Sequence, residues 1–348
     1  MTRRVYLDYN ATAPLRDVAR NAMIAAMDLV GNPSSVHAEG RKARAVLEKA
    51  RAQVAAALGA EGAEIIFTSG ATEAAGLALA GRQLAGAAIE HDAVRAWCDD
   101  TLSVDALGAV HLPDPGRATL QIANSETGIV QKLPEGLAVS DLTQGFGKLP
   151  FAFNWLGVEM GFVSAHKIGG PKGVGALVMR RGTDIAAQIR GGGQEMGRRA
   201  GTENLIAIAG FGAAAEAAAK DLADGVWNSV SEIRNILEQA LDAAASKTIL
   251  LGKGANRLPN TLCLATPGWK GETQVMQMDL AGFAVSAGSA CSSGKLRASA
   301  VLGAMGYDAA TASGAIRVSL GPQTQEDDVL RFVDAWLKEY RRFAARAA

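Results

Sequence analysis

Hydrophobic positions follow two spacings along this chain. Between residues 39 and 58 the apolar residues Ala43, Val46, Leu47, Ala50, Val54 and Leu58 recur at the interval of one helix face, and the charged residues between them form a solvated face. Short apolar runs bounded by turn residues predict strands at 5–10, 64–68, 119–123, 137–140 and 173–179, with a further one ending at Ser164. Helical patterns lie between them: one starting near Leu15 after the turn Ala11–Pro14, an alanine-rich one after Glu73, one from Leu205 to about Leu222 and one over 226–245. Strands alternating with helices predict an α/β fold with a large, mainly parallel sheet, whose ligands sit beyond the carboxyl ends of the strands.

Past residue 245 the pattern changes. Strands at 249–251, 261–265, 283–286 and 315–320 are mixed with helices, as expected for a smaller α+β domain. The last helix is expected to start with Thr324 as N-cap. It carries Glu326, Asp327 and Asp328 in its first turn and Arg341, Arg342 and Arg346 at its end, a charge order that the helix dipole accounts for. The junction is placed near 223–225. Residues 13–222 then form the large domain, and 1–12 with 223–348 the small one.

Composition narrows the function. Lys+Arg and Asp+Glu are both 35 in 348 residues, a formal net charge of zero, so nucleic-acid binding through a basic surface is not expected. Apolar residues make up 49%, yet no run approaches the roughly 20 residues of a membrane span. Met1–Arg4 leads into a strand rather than a signal peptide, and a soluble cytoplasmic protein is expected. The cysteines Cys98, Cys263 and Cys291 have no metal-binding spacing, so no metal site is expected, and their odd number fits a reducing compartment.

The candidate chemistry centres on Lys167. The run Phe162-Val163-Ser164-Ala165-His166-Lys167 enters a glycine-rich turn, so the lysine leaves a strand end into a crevice. A lysine so placed is either a surface residue in a loop or an amine that forms a Schiff base with a carbonyl cofactor such as pyridoxal phosphate. Such a cofactor needs an acid for its pyridine nitrogen, for which Asp141 at the next strand end is the candidate, and a dipole-rich pocket for its phosphate. Ser69-Gly70-Ala71-Thr72-Glu73, a turn from strand to helix, either supplies that pocket or is an ordinary connection. His91 at a strand end can stack on a ring or relay protons, or be a plain core or surface histidine. His37 is an active-site residue or a helix-start residue. Residues 189–204 form a loop rich in glycine and arginine that suits an anion. Cys291 sits among small residues from Ser286 to Gly294, which suit a mobile or tightly turned loop, and reads as a reactive thiol. Cys263, between Leu262 and Leu264, reads as structural, and Cys98 as incidental.

Taken in order, Tyr6–Thr12, Gly31–His37, Phe67–Glu73, Glu90-His91, Asp141–Gln144, Ser164–Lys167, Gly191–Glu195, Gly288–Cys291 and Ile316–Gly321 resemble the cysteine desulfurases of the NifS/IscS type, over almost the whole chain. The resemblance implies the aspartate-aminotransferase-like fold (fold type I of pyridoxal-phosphate enzymes), a homodimer, and pyridoxal 5'-phosphate on Lys167. It also implies that Asp141 pairs with the pyridine nitrogen, Gln144 contacts the ring hydroxyl and His91 stacks on the ring. Ala71, Thr72, Ser164 and His166 would cradle the phosphate, with Thr202 joining across the dimer. Arg317, Asn32 and Asn124 would bind the substrate, Arg317 through its carboxylate. Lys167, His91 and Cys291 would be catalytic, Cys291 taking sulfur from L-cysteine as a persulfide and leaving alanine. The sulfur would pass to an acceptor protein, for iron–sulfur clusters or other thio-cofactor or tRNA biosynthesis.

This chain departs from the family pattern in three places. Ser125 stands where a second asparagine is usual, Gly76 replaces a commonly polar residue, and segments 92–123 and 130–140 are short, so the helix expected before Asp141 is missing. Two other functions stay open: a selenocysteine lyase, sharing fold and cofactor, and a low-activity scaffold that binds a sulfur-acceptor partner.

Overall fold

The computed structural model describes residues 3–288 and 298–346. In chain order the first part contains β1 (Val5–Tyr6), α1 (Asp17–Met27), α2 (Ala38–Ala57), β2 (Glu64–Thr68), α3 (Ala71–Leu79), β3 (Ala85–Ala87), α4 (Asp92–Arg95), β4 (Asp99–Leu102), β5 (Val139–Asp141), β6 (Met160–Ser164), β7 (Gly175–Met179) and α5 (Leu205–Ala223). The second contains α6 (Val226–Ala244), β8 (Ile249–Leu251), β9 (Thr261–Ala265), α7 (Gly271–Leu280), β10 (Phe283–Ala284), β11 (Ser286–Ala287), α8 (Ala300–Ala304), α9 (Ala309–Ser313), β12 (Ala315–Ser319) and α10 (Glu326–Arg346).

The main sheet has the order β2-β7-β6-β5. It is extended past β5 by residues 118–123, which hydrogen-bond alongside Val139 and Asp141, and then by β3 and β4. The pairings run parallel from β4 to β6, and only β7 is antiparallel to its neighbours. β5, β6 and β2 therefore end on the same side of the sheet. The strand expected at 119–123 is present only as isolated bridges, because its neighbours β3 and β5 are three residues each. Gly175 of β7 lies between Thr68 and Ser164, and a Cβ there would sit 2.8 Å from the Gly70 backbone. Only glycine lets the turn into α3 close over the sheet at this point.

The helix missing before Asp141 is absent in the structure too. Residues 124–138 return to the sheet without a helix, although a parallel crossover usually carries one. The short connection is held from outside: Val130 N donates to Asn256 O at 2.9 Å, and Leu258 N donates to Gly128 O at 2.8 Å.

Helices α1, α2 and α5 cover one face of the sheet around Leu47, Val54, Phe67, Val163 and Phe211. A separate core joins Val5 and Leu7 to Trp227, Leu262, Phe332 and Trp336. The expected strand 5–10 is shorter than its motif because the chain changes partners within it. β1 pairs with β10, Asp8 bridges Ser319 beside β12, and Tyr9 enters a turn. The strand at 283–286 divides for the same reason, β10 joining β1 and β11 joining β12. Thr324 is not the N-cap of α10: its Oγ1 accepts from Gly321 N at 3.0 Å, and the Asp328 carboxylate takes Gln325 N.

Candidate functional site

Three strand ends meet at one cavity of about 540 Å³. β2 turns through Ser69 and Gly70 into α3, β5 ends in Asp141, and β6 ends in Ser164, followed by the single 3-10 turn Ala165–Lys167. Ala71, Thr72, His91, Asp141, Gln144, Ser164, His166 and Lys167 all line this cavity, so eight residues singled out across the sequence come together.

Lys167 Nζ donates to the carbonyls of Asn10, at 2.6 Å, and Ala11, at 2.9 Å. The N-terminal segment is therefore tied to the lysine, a bond that Ala13 N to His166 O, 2.9 Å, repeats. Asp141 Oδ1 accepts from Thr143 N at 2.8 Å. Burial pushes its carboxyl up, against the pull of that hydrogen bond and of His91 and Lys167. Burial lowers the His166 imidazole to about 4, helped by Lys167 and Lys172, so the ring is neutral. His91 is the N-cap of α4, not a strand end. Its Nδ1 accepts from Ala93 N at 3.1 Å, so in the neutral ring the proton sits on Nε2.

The remaining candidates lie outside this lining. Arg317 is 2% exposed and donates to Ser125 O at 3.0 Å and to Asp8 Oδ1 at 2.8 Å, directly behind the cavity wall that Ser125 provides. Asn124 is buried and committed to the backbone: Nδ2 donates to Ile89 O, and Oδ1 accepts from the N–H groups of Glu126 and Thr127. Asn32 accepts from Ser34 N in an exposed turn. His37 is the helix-start residue of α2, its Nδ1 accepting from Gly40 N. Thr202 lines a smaller cavity of about 160 Å³ that shares Ser69 and Gly173 with the first. Cys291 lies outside the described residues. Cys263 is buried and Cys98 half-buried; burial pushes both thiols up, Cys98 to about 11, so neither offers a thiolate. No group of three or more His, Cys, Asp or Glu among the described residues is arranged to hold a metal.

Sequence reasoning missed Thr12, Thr143 and Lys148. The threonines line the cavity, and Lys148 touches Gln144 from behind. A signal existed only for Lys148, a lysine four residues past Gln144 in the apolar run Phe146-Gly147-Lys148-Leu149.

These walls fit pyridoxal phosphate. His166 Nδ1, Thr12 Oγ1 and Thr143 Oγ1 are buried at the cavity without hydrogen-bond partners, and a polar ligand satisfies such atoms. The N terminus of α3 presents its N–H groups and dipole at Ala71 and Thr72, where a phosphate is stabilised. Asp141 is an enclosed carboxyl for which a protonated pyridine nitrogen is the natural counter-charge.

Comparison with known proteins agrees. The family model described as aminotransferase class-V matches residues 5–97 and 100–332. The chain is 39% identical to a cysteine desulfurase of Cereibacter sphaeroides, across 95% of this chain and 94% of that protein. It is 37% identical to the cysteine desulfurase IscS of Dictyoglomus turgidum, across 94% and 92%. A solved NifS-like protein from Rickettsia africae superposes with a TM-score of 0.89 at 30% identity, covering 97% of this chain and all of that one. The fold is that of the type I pyridoxal-phosphate enzymes, and the chain belongs to the aminotransferase class-V family.

Proposed function

We propose that this protein is a pyridoxal-phosphate-dependent cysteine desulfurase that converts L-cysteine to L-alanine and passes the sulfur to Cys291. The observation that carries this is the convergence of Lys167, Asp141 and the N terminus of α3 on one cavity, in a chain that aligns with cysteine desulfurases over 94–95% of its length.

Bound at Lys167, the cofactor supplies an electron sink that makes the α-proton of the amino acid acidic. The residues do the rest. Asp141 keeps the pyridine nitrogen protonated, His91 covers the ring, and Gln144 donates to the ring oxygen. Ser164, His166, Ala71 and Thr72 hold the phosphate, with Thr202 completing that cradle from the second subunit of a homodimer. Lys167 Nζ takes the α-proton. Arg317 receives the substrate carboxylate with a guanidinium group already oriented by Asp8 and Ser125. The Cys291 thiolate attacks the substrate sulfur: the new S–S bond forms as the C–S bond breaks, and the carbon fragment takes up one proton at Cβ and one at Cα, the latter returned by Lys167 Nζ, and leaves as alanine. The persulfide then goes to an acceptor protein, in the cytoplasm, for iron–sulfur clusters or other thio-compounds. Asn124, held by the backbone, acts by shaping the wall rather than by contact with substrate. Asn32, in its exposed turn, holds Ser34 N rather than substrate.

Alanine released from L-cysteine, with and without a thiol reductant, tests this. Wild type should release it, and Lys167→Ala and Cys291→Ala should fall to background. Equal release by wild type and Cys291→Ala would point to a lyase that does not use the thiol. No release from cofactor-loaded wild type would favour the scaffold.

A further inference from the structure

Lys148 has no place in the reaction just described, and its setting is expensive. The side chain is buried, 3% exposed, and its Nζ donates to two neutral amide oxygens, Gln144 Oε1 at 2.8 Å and Asn10 Oδ1 at 3.2 Å. Its charged neighbours, Lys167 and Arg317, are cations. Burial first, and then those two charges, hold the amine well below the usual lysine range. An amine with two N–H bonds matches two acceptors, whereas an ammonium would leave a third donor unpaired in the interior. A methionine or leucine would fill the space at less cost, so stability does not explain the lysine.

Its effect falls on Gln144. A glutamine amide is nearly symmetric in shape, and its neighbours decide which end faces where. Here Oε1 is occupied by Lys148, and Nε2 donates one hydrogen to Asn10 O at 3.1 Å. Gln144 lines the large cavity, so the donor it has left to offer there is the second N–H of Nε2. The same Asn10 carbonyl accepts from Lys167 Nζ at 2.6 Å, and Asn10 is itself fixed by Asn260, Thr261 and Ser125. Reversed, the amide would turn a carbonyl oxygen toward the ring oxygen of the cofactor and repel it.

We propose that Lys148 is a positioning residue of the cofactor site: by donating to Gln144 Oε1 it turns the Gln144 N–H toward the ring oxygen of pyridoxal phosphate. This rests on the cofactor reading above.

The test uses the full-length protein, freed of cofactor and titrated with pyridoxal phosphate, comparing wild type, Lys148→Met, Gln144→Leu and the double variant. Dissociation constant and visible absorbance band are read for each, beside alanine release. Lys148→Met should weaken the cofactor about tenfold and move the absorbance band, since a hydrogen bond to the ring oxygen is disturbed. In the Gln144→Leu background, Lys148→Met should change the constant less than twofold, because the two residues act as one unit. A Lys148→Met protein with wild-type constant and band, or an equal loss in both backgrounds, would overturn the proposal. Should Lys148→Met not fold, Lys148→Gln replaces it: its amide is too short to reach Gln144, and the same non-additivity is expected. If wild type itself neither binds the cofactor nor releases alanine, the desulfurase reading fails instead, which separates the two.

Discussion

Arg317 Nη2 and Asp8 Oδ1 lie 2.8 Å apart, and the second oxygen of the same carboxylate accepts from Ser286 Oγ at 2.8 Å. The arginine proposed to receive the substrate carboxylate thus already holds a carboxylate of this chain. Arg317→Lys should raise the KM for L-cysteine at least tenfold, because an ammonium cannot keep both the Ser125 and Asp8 contacts and still present a fork. Asp8→Asn should lower KM about threefold with little change in kcat, since a charge competing for the guanidinium is removed. Steady-state kinetics of alanine release check both, and a higher KM in Asp8→Asn would mean that orientation outweighs competition.

Two buried carboxyls set a pH dependence of stability. Burial pushes Glu90 up to about 8 and Glu126 up to about 7. Glu90 Oε1 accepts from Gln121 N at 2.7 Å, and its Oε2 has no hydrogen-bond partner among the described residues. Both pKa values are higher folded than unfolded, so the folded protein binds more protons. Its stability is then fullest below about pH 4.5 on this account and falls as pH rises toward 8. Thermal unfolding followed from pH 5 to 8.5 should show this decline, and Glu90→Gln should flatten the upper part of it.

Gly321→Ala should cost about 1–3 kcal/mol, the usual range for overpacking. A Cβ at this position would overlap the edge of the Tyr9 ring at Cε1, and the neighbouring Asn10 carries the contacts to Lys167 and Gln144. Chemical denaturation measures the loss, and cofactor affinity should fall with it.

Glu195 is almost fully enclosed and takes two hydrogen bonds from Arg51, at 2.8 and 2.9 Å, and one from Phe67 N at 2.8 Å. It and Met196 adopt positive φ, 46° and 59°, which costs energy that these contacts offset. Arg51→Ala leaves the buried carboxylate with only the Phe67 N–H and should destabilise by about 3 kcal/mol, read by denaturant unfolding. It should also loosen loop 189–204, which carries Thr202, and so increase proteolysis there.

The sequence was most legible where spacing is local. α2 from its apolar stripe, β2 and the turn into α3, and β6 ending before Lys167 all follow from neighbouring residues, and the site follows from them because parallel strands end together. Residues 119–123 and 283–286 were less legible, because whether they form one strand or two depends on partners far away in the chain. Lys148 was hidden for a related reason. A lysine in an apolar run reads as a loop residue until Gln144 and Asn10 are seen beside it. Asn124 was only partly legible, because its side chain serves the turn at Glu126 and Thr127, a use that its place in the motif does not reveal.

The crossover at 124–138, shortened to a bare segment, has a mechanical consequence. Its backbone hydrogen bonds with Asn256 and Leu258, together with the Asn10 contacts to Thr261, stitch the sheet to the β8–β9 region along a line close to the cavity. Swinging one part against the other would have to break this seam. The seam thus opposes a jaw-like closing of one part upon the other, since each such movement would cost the backbone hydrogen bonds in it.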